Sequence, residues 1–249
     1  MPRIVLFHAL KHSPPPIESA FKKLYPIPRL FHLMDDSLSF DLATLSSSTQ
    51  TTSPTTDPIL PRFRHLSHYA ITQMKADAIL FTCSAFGTQI DAVKRDFPGI
   101  PIHTPNESAL RRVIELAKET AGPGRRGGEG ALRVMLVSSF LPTLGSMSAE
   151  VDQMAGEGGV GVCVSRVFVE GAMEALNVGN GERHDELVVK AVRDELAKGG
   201  VDVVLLTQFS MERAGDKVRR EVEKYGVHVL TTPEAAVLGI KKALEARKI

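Results

Sequence analysis

The sequence predicts an α/β protein built from two similar halves, each a parallel sheet of the Rossmann-like, flavodoxin type, related by pseudo-two-fold symmetry. Short apolar runs rich in Val, Ile and Leu alternate with stretches of helical periodicity, which is the pattern of parallel strands covered by helices on both faces. In addition, segment 77–94 aligns without a gap with segment 202–219. A duplicated α/β unit explains both observations.

The strands are predicted where β-branched and other apolar residues run together between polar or turn-forming residues. The length of each run lies within the four to eight residues that are usual for a strand. In chain order the predicted strands are Ile4–Ala9, Ala78–Thr82, Val134–Ser138, Val162–Phe168, Val203–Thr207 and Val227–Leu230.

The helices are predicted where apolar residues recur every three or four positions. Several of these stretches begin after a Thr-Pro pair or a small-residue turn, both of which favour a helix start. In chain order the predicted helices are 17–24, 59–75, 89–96, 107–120, 184–198, 214–225 and 234–247.

The repeat also predicts the domain organisation. The first half is expected over residues 1–120, completed by the C-terminal strand and helix of 226–249, and the second half over 131–225. The glycine-rich segment 121–130 is interpreted as the linker, and the polar segment Ser46–Pro58 as a loop that cannot contribute to a core.

Composition excludes several classes of function. The formal net charge is +1 and the basic residues are spread among acidic ones, so no nucleic-acid partner is expected. No apolar run is long enough to span a bilayer, and the polar, proline-rich residues after the first strand argue against a signal peptide, so a cytoplasmic protein without a membrane partner is expected. A second copy of the chain stays open as a partner.

Two cysteines are too few for a disulfide framework, so both are expected to be thiols. Cys163 lies in an apolar alternation and is interpreted as a core residue. No metal site is predicted, because His65 and His68 have ligand-like spacing but no neighbouring Cys or carboxylate.

Polar residues follow the strands at the edge where open parallel sheets bind ligands. They are small and neutral, apart from one histidine and one thiol, and suit a small carboxylate held by hydroxyls and backbone N–H groups. The candidate catalytic residues are Cys83, Gln208 and His8, and the candidate substrate-binding residues are Thr82, Ser84, Ser138, Ser139, Thr143, Thr207 and Ser210.

The repeat sets Cys83 opposite Gln208, Thr82 opposite Thr207 and His8 opposite Ser138. Two similar halves usually close on one cleft, so a thiol is expected to face a carboxamide. Cys83 comes directly before a predicted helix start, a position that lowers a thiol pKa and favours the nucleophilic, basic thiolate.

The motifs T-C-S-A-F-G at 82–87, Q-F-S-M at 208–211 and D-D-S-L-S at 35–39 resemble the Asp/Glu/hydantoin racemase superfamily. The resemblance implies two similar α/β halves, no metal or organic cofactor, and proton transfer at the α-carbon of a small carboxylate such as an amino acid. It identifies Cys83 with the first of the two cysteines that two-base members use. Gln208 stands where those members have the second.

A carboxamide can hold a carboxylate or enolate oxygen, but it cannot act as an acid or base at neutral pH. His8 is one candidate for the missing proton donor. The resemblance also leaves open a one-cysteine decarboxylase, a cis-trans isomerase of a small dicarboxylate, and a protein that binds a carboxylate without catalysis.

Overall fold

The computed structural model describes residues 1–47, 57–121 and 130–247. The chain forms two compact units, Met1–Pro105 with Ala236–Ile249 and Asn106–Ala235.

The first unit is built on a four-stranded parallel sheet. Its strands are β1 (Arg3–His8), β2 (Arg29–Met34), β3 (Ala78–Phe81) and β4 (Ile102–His103), in the order β2-β1-β3-β4. Its helices are α1 (Pro14–Leu24), α2 (Ser37–Ser47), α3 (Leu60–Thr72) and α4 (Gly87–Asp96), and a short 3-10 helix, Ser84–Phe86, precedes α4.

The second unit repeats this architecture. Its strands are β5 (Leu132–Ser138), β6 (Val162–Phe168), β7 (Val203–Leu206) and β8 (His228–Thr231), in the order β6-β5-β7-β8 and again all parallel. Its helices are α5 (Glu107–Ala121), α6 (Leu141–Gly158), α7 (Ala172–Asn177), α8 (Gly181–Leu196) and α9 (Gly215–Val222), with 3-10 helices at Phe209–Ala214 and Glu223–Tyr225. The last helix, α10 (Thr232–Ala246), belongs to the first unit from Ala236 onward.

The two halves share individual contacts as well as strand order. The backbone N–H of Arg3 donates to the carboxylate of Asp77 at 2.7 Å, and that of Arg133 donates to Asp202 at 2.8 Å. Asp77 directly precedes β3, and Asp202 directly precedes β7. Each aspartate therefore ties the starts of two neighbouring strands together. The prediction of an α/β fold with two similar halves is confirmed.

The unit boundaries differ from the sequence-based division. Helix α5 packs its apolar face on the sheet of the second unit, where Leu110 and Val113 join one cluster with Val134 and Leu136. Strand β8 pairs with β7 and so also belongs to the second sheet. The chain therefore passes between units at 105/106 and 235/236, whereas the predicted linker 121–130 lies mostly outside the described residues.

All six predicted strands and seven predicted helices are present; β6 has the predicted bounds, and the others are shifted at one or both ends. Four longer elements were not predicted: β2, α2, α6 and α7. The loop predicted over Ser46–Pro58 begins inside helix α2, which extends to Ser47, and residues 48–56 lie outside the described part of the chain.

Burial separates central from edge strands. Strands β3 and β7 are buried throughout, whereas the edge strands β2 and β6 have no buried residue. Cys163 lies on β6 and is exposed, so the expectation that it belongs to the core is wrong. An apolar alternation also fits an edge strand, because one face and one edge remain open to solvent.

Four phenylalanines form the aromatic centre of the first unit. The ring of Phe63, from α3, lies 5.1 Å from that of Phe7, 5.4 Å from that of Phe81 and 5.1 Å from that of Phe86, measured between centroids. This cluster packs α3 and the turn after β3 onto the sheet, and it thereby fixes the segment on either side of Cys83.

Two classes of feature are missing from the part of the chain that the structure describes. None of its helices combines the length and apolar character needed to cross a membrane. No group of three or more His, Cys, Asp and Glu side chains there is arranged to hold a metal ion.

Candidate active site

Cys83 directly follows β3, at the carboxyl end of the first sheet. Its backbone is extended, with φ −121° and ψ 122°, and it precedes the 3-10 helix Ser84–Phe86 that leads into α4. The side chain is partly exposed and packs against the aromatic core of its unit. The strand thus delivers one thiol to the sheet edge at which parallel α/β proteins bind ligands.

The pKa of the Cys83 thiol is raised, because burial penalises the thiolate more than the Ala85 backbone N–H stabilises it. The expectation of a lowered pKa at a helix start is therefore wrong for the unliganded protein. A single 3-10 turn offers few aligned peptide dipoles, while the surrounding apolar side chains exclude water. Cys83 is consequently a protonated thiol at neutral pH.

His8 ends β1 and is fully buried. Its Nδ1 lies 2.8 Å from the hydroxyl oxygen of Thr82, and its Nε2 lies 2.9 Å from Nδ1 of His32 on β2. Nε2 of His32 in turn lies 3.2 Å from the carboxylate of Glu18 on α1. Four side chains therefore form one continuous chain, and Thr82 at its inner end is the residue before Cys83.

Burial, together with the neighbouring His32, lowers the pKa of His8 to about 4. The ring is therefore neutral at physiological pH, and both of its nitrogens already have partners. This placement gives no support to a direct proton transfer from His8 to a substrate. His8 instead holds Thr82.

Gln208 occupies in the second unit the position that Cys83 has in the first. Its side-chain oxygen accepts from the Ser139 backbone N–H at 2.7 Å and from the Ser139 hydroxyl at 2.9 Å. The Ser138 hydroxyl also lies 3.0 Å from this oxygen and shares its one hydrogen with the Phe140 carbonyl, which is equally 3.0 Å away. Such a set of donors fixes which end of the amide is oxygen. The NH2 group has no hydrogen-bond partner among the described residues and is left as a donor.

The threonines before Cys83 and Gln208 perform the same structural task. The Thr82 hydroxyl lies 3.1 Å from the Phe7 carbonyl and the Thr207 hydroxyl 2.9 Å from the Val137 carbonyl. Their backbone N–H groups donate to the same two carbonyls. Each threonine therefore closes the end of the strand pair. Both are buried, so their hydroxyls contact protein atoms.

The remaining predicted binding residues lie at the same ends of the two sheets, within their own units. Ser84 is partly exposed and opens the 3-10 helix after Cys83, and Ser210 is partly exposed in the turn after Gln208. Thr143 is buried in the first turn of α6, where its N–H donates to the Phe140 carbonyl at 3.1 Å. Their roles in binding stay predictions.

Sequence reasoning missed His32 and Glu18, which complete the chain from His8. Neither belongs to the repeat or to a recognisable motif, and the edge strand that carries His32 was not predicted. The segment Asp35–Ser39 makes polar contacts within the first unit: Asp35 accepts from the Ser37 hydroxyl at 2.7 Å and pairs with Arg62 of α3.

Several solved structures of racemases have a similar fold. Glutamate racemase from Bacillus anthracis superposes with a TM-score of 0.63 at 11% identity, covering 99% of this chain and 82% of that one. An aspartate racemase homologue from Pyrococcus horikoshii gives 0.63 at 14% identity, covering 98% and 100%. Allantoin racemase from Klebsiella pneumoniae gives 0.62 at 14% identity, covering 100% and 89%.

The chain has the fold of these racemases. At 11 to 14% identity the similarity extends to architecture over nearly the whole chain and not to individual residues. No protein-family model matches the sequence, and no curated protein does. The comparison therefore shows the fold, whereas the superfamily suggested by the sequence motifs, and the particular branch suggested by T-C-S-A-F-G and Q-F-S-M, stay predictions.

Proposed function

We propose that this protein is a cofactor-independent enzyme of the racemase type, which transfers a proton at the α-carbon of a small carboxylate, an amino acid or a substituted acid. The observation that carries the proposal is a lone thiol, Cys83, directly after the central strand β3 of a racemase fold. The glutamate, aspartate and allantoin racemases of similar fold support the same class of reaction.

Cys83 is the proposed acid–base group. As a thiolate it takes the α-hydrogen as a proton, which leaves the electron pair on the substrate as an enediolate, and the resulting Sγ–H then returns a proton to carbon. Because the resting thiol is protonated and its side chain is partly exposed, the reaction in this direction begins with transfer of that proton to solvent water. Starting from an enediolate, the same thiol is already in the form needed to donate.

Gln208 is the proposed hydrogen-bond donor to the substrate. Its oxygen is held by Ser138 and Ser139, so the NH2 group is oriented to donate to a carboxylate or enediolate oxygen. A donor held in place before the reaction stabilises charge that develops in the transition state without paying for reorganisation. Ser84 and Ser210 are proposed to add hydroxyl donors.

One further function is favoured by a specific observation. Neither Gln208 nor His8 provides a second acid–base group, and the thiol of Cys83 is protonated in the unliganded protein. This combination fits a protein that binds a small carboxylate and does no chemistry on it. The two candidates differ in whether the α-hydrogen exchanges with solvent.

The test is incubation of the protein in D2O with a panel of amino acids and substituted malonates, followed by mass spectrometry and chiral chromatography. We expect α-deuterium in at least one amino acid or substituted acid. Exchange should be lost in Cys83→Ala and retained in Cys163→Ala, the matched variant at the chain's other cysteine. Exchange that survives Cys83→Ala would contradict the proposed role. Thermal stabilisation by a carboxylate without exchange of any substrate would instead support the binding protein.

A further inference from the structure

The chain Glu18–His32–His8–Thr82 has a direction that its hydrogen count determines. The steps are 3.2 Å from Glu18 to His32, 2.9 Å from His32 to His8 and 2.8 Å from His8 to Thr82. The two imidazole rings also stack, with centroids 5.1 Å apart and planes 14° apart. At each step a single hydrogen lies between the two groups, and one group donates it to the other.

The two ends of the chain constrain the middle. An ionised carboxylate only accepts hydrogen bonds, so His32 must carry a hydrogen on Nε2, the nitrogen facing Glu18. At the other end the Thr82 hydroxyl has one hydrogen and two acceptors within reach, Nδ1 of His8 at 2.8 Å and the Phe7 carbonyl at 3.1 Å. The hydroxyl can donate to only one of them.

With a neutral His32, every bond points outward toward Glu18. The ring hydrogen is on Nε2, so Nδ1 of His32 accepts from Nε2–H of His8. Nδ1 of His8 then has no hydrogen and accepts from the Thr82 hydroxyl. In this state the hydroxyl turns away from the Phe7 carbonyl.

With a protonated His32, every bond inward of this ring reverses. Nδ1–H of His32 now donates to Nε2 of His8, so the neutral His8 carries its hydrogen on Nδ1 and donates it to Thr82. The Thr82 hydroxyl is then free to donate to the Phe7 carbonyl. His8 stays neutral in both states, since burial lowers its pKa to about 4.

We propose that Glu18 and His32 are positioning residues for the Cys83 site: uptake of one proton by His32 reverses the hydrogen bonds of His8 and Thr82, and thereby changes how the strand end before the thiol is held. The inference rests on the proposed function in one respect only, which is that Cys83 is the reacting group. His32 is half-buried and Glu18 is exposed. Protons from solvent therefore reach the outer end of the chain, whereas its inner end is buried.

Other charged groups lie on the segments next to this chain of side chains. Lys11, after β1, pairs with Asp36 at 2.8 Å, and Asp35 accepts from the Nε–H of Arg62 at 3.1 Å. Lys22 is exposed one turn after Glu18 on α1. Since the two ion pairs involve groups that do not titrate between about pH 5 and 8, where histidines change charge, a change in this range reports the histidines.

The experiment is nitrogen NMR of the full chain labelled at its histidine rings, recorded from pH 5 to 8 without substrate. The expected result is that the protonated nitrogen of His8 changes from Nε2 at high pH to Nδ1 at low pH. In Glu18→Gln the midpoint of this change should move to lower pH, because the carboxylate that accepts from the His32 ring is gone. Glu182→Gln, an exposed glutamate of the other unit, is the matched control.

Alkylation of Cys83 by iodoacetamide gives the second readout. We expect its rate in Glu18→Gln to differ from that in Glu182→Gln by about 2- to 10-fold, the equivalent of one hydrogen bond, in the pH range where His8 changes its protonated nitrogen. A single tautomer of His8 throughout, an unchanged midpoint in Glu18→Gln, or equal alkylation rates in the two variants would overturn the proposal. None of these results depends on turnover, so they are separable from a failure to find any substrate.

Discussion

The side-chain oxygen of Gln208 accepts the backbone N–H of Ser139 at 2.7 Å. Together with the hydroxyls of Ser138 and Ser139, this bond fixes the carboxamide with its oxygen toward the protein and its NH2 group without a partner among the residues that the structure describes. The residue equivalent to Cys83 is therefore a hydrogen-bond donor of fixed orientation. That orientation fits the proposed role of Gln208, which is to donate a hydrogen bond to the substrate and not to exchange a proton with it.

Replacing Gln208 by Glu tests this role. The carboxylate keeps the size of the side chain and can still accept from Ser138 and Ser139, but it loses the NH2 donor and adds a negative charge near the substrate carboxylate. We expect the rate of α-hydrogen exchange to fall by about 100-fold or more, the usual cost of removing one oxyanion donor. Exchange in D2O measures the loss, and a thermal melt checks that the fold is retained.

Gln208→Asn is the companion variant, because it keeps the amide chemistry and only shortens the side chain. We expect it to retain more activity than Gln208→Glu. Equal activity of wild type and Gln208→Glu would rule out a donor role for this side chain.

The raised pKa of Cys83 predicts slow alkylation in the unliganded protein. At pH 7.5 iodoacetamide should modify the exposed Cys163 faster than Cys83, since the thiolate is the reactive form and burial disfavours it at Cys83. Peptide mass spectrometry after timed quenching separates the two sites. Faster modification of Cys83 than of Cys163 would show instead that its thiolate is stabilised.

The lowered pKa of His8 predicts a loss of stability in acid. The folded protein keeps His8 neutral down to about pH 4, whereas an unfolded histidine takes up a proton near pH 6.5, so the unfolded state binds more protons between these values. The contribution is fully present above about pH 6.5. It is lost as pH falls toward about 4, by about 3 kcal/mol in the free energy of unfolding.

Urea unfolding of wild type and His8→Gln at pH 7, 5.5 and 4.5 isolates this term. The difference in stability between the two proteins should shrink as pH falls, because only wild type has the buried histidine to protonate. A difference that stays constant across this range would contradict the assignment.

The aromatic centre of the first unit predicts a large effect of Phe63→Ala. The Phe63 side chain is buried and its ring packs against those of Phe7, Phe81 and Phe86. Removing it should lower the free energy of unfolding by about 3 to 5 kcal/mol. Phe40→Ala, at a phenylalanine that is 74% exposed, should change it by less than about 0.5 kcal/mol. Similar losses for the two variants would contradict the assigned core.

The duplicated fold could be predicted because the repeat preserves residues that make equivalent hydrogen bonds in the two halves. Asp77 and Asp202 accept equivalent backbone N–H bonds, and Thr82 and Thr207 close equivalent strand ends, so their alignment in sequence reports real equivalence in space. The edge strand β2 and the unit boundaries were harder to predict. The edge strand β2 contains Arg29 and His32 among its apolar residues, which hides it from a search for apolar runs.

The placement of the candidate residues at strand ends was predicted, whereas their hydrogen bonds and pKa shifts were not. Strand ends identified Cys83, Gln208 and His8, since the carboxyl edge of a parallel sheet is read directly from the order of strands and helices. The raised pKa of Cys83 was not predicted, because desolvation depends on side chains that are distant in sequence and pack around the turn. The engagement of His8 could not be foreseen, as it depends on His32 and Glu18 from two elements outside the repeat.

Solvent exchange in matched cysteine variants shows whether Cys83 exchanges a proton with the α-carbon of a small carboxylate. With the substrate identified from the panel, the first-order rate of α-deuterium incorporation is measured for wild type, Cys83→Ser and Cys163→Ser. We expect exchange to fall by at least about 100-fold in Cys83→Ser and to keep the wild-type rate in Cys163→Ser. Exchange at the wild-type rate in Cys83→Ser would contradict the proposed role of Cys83.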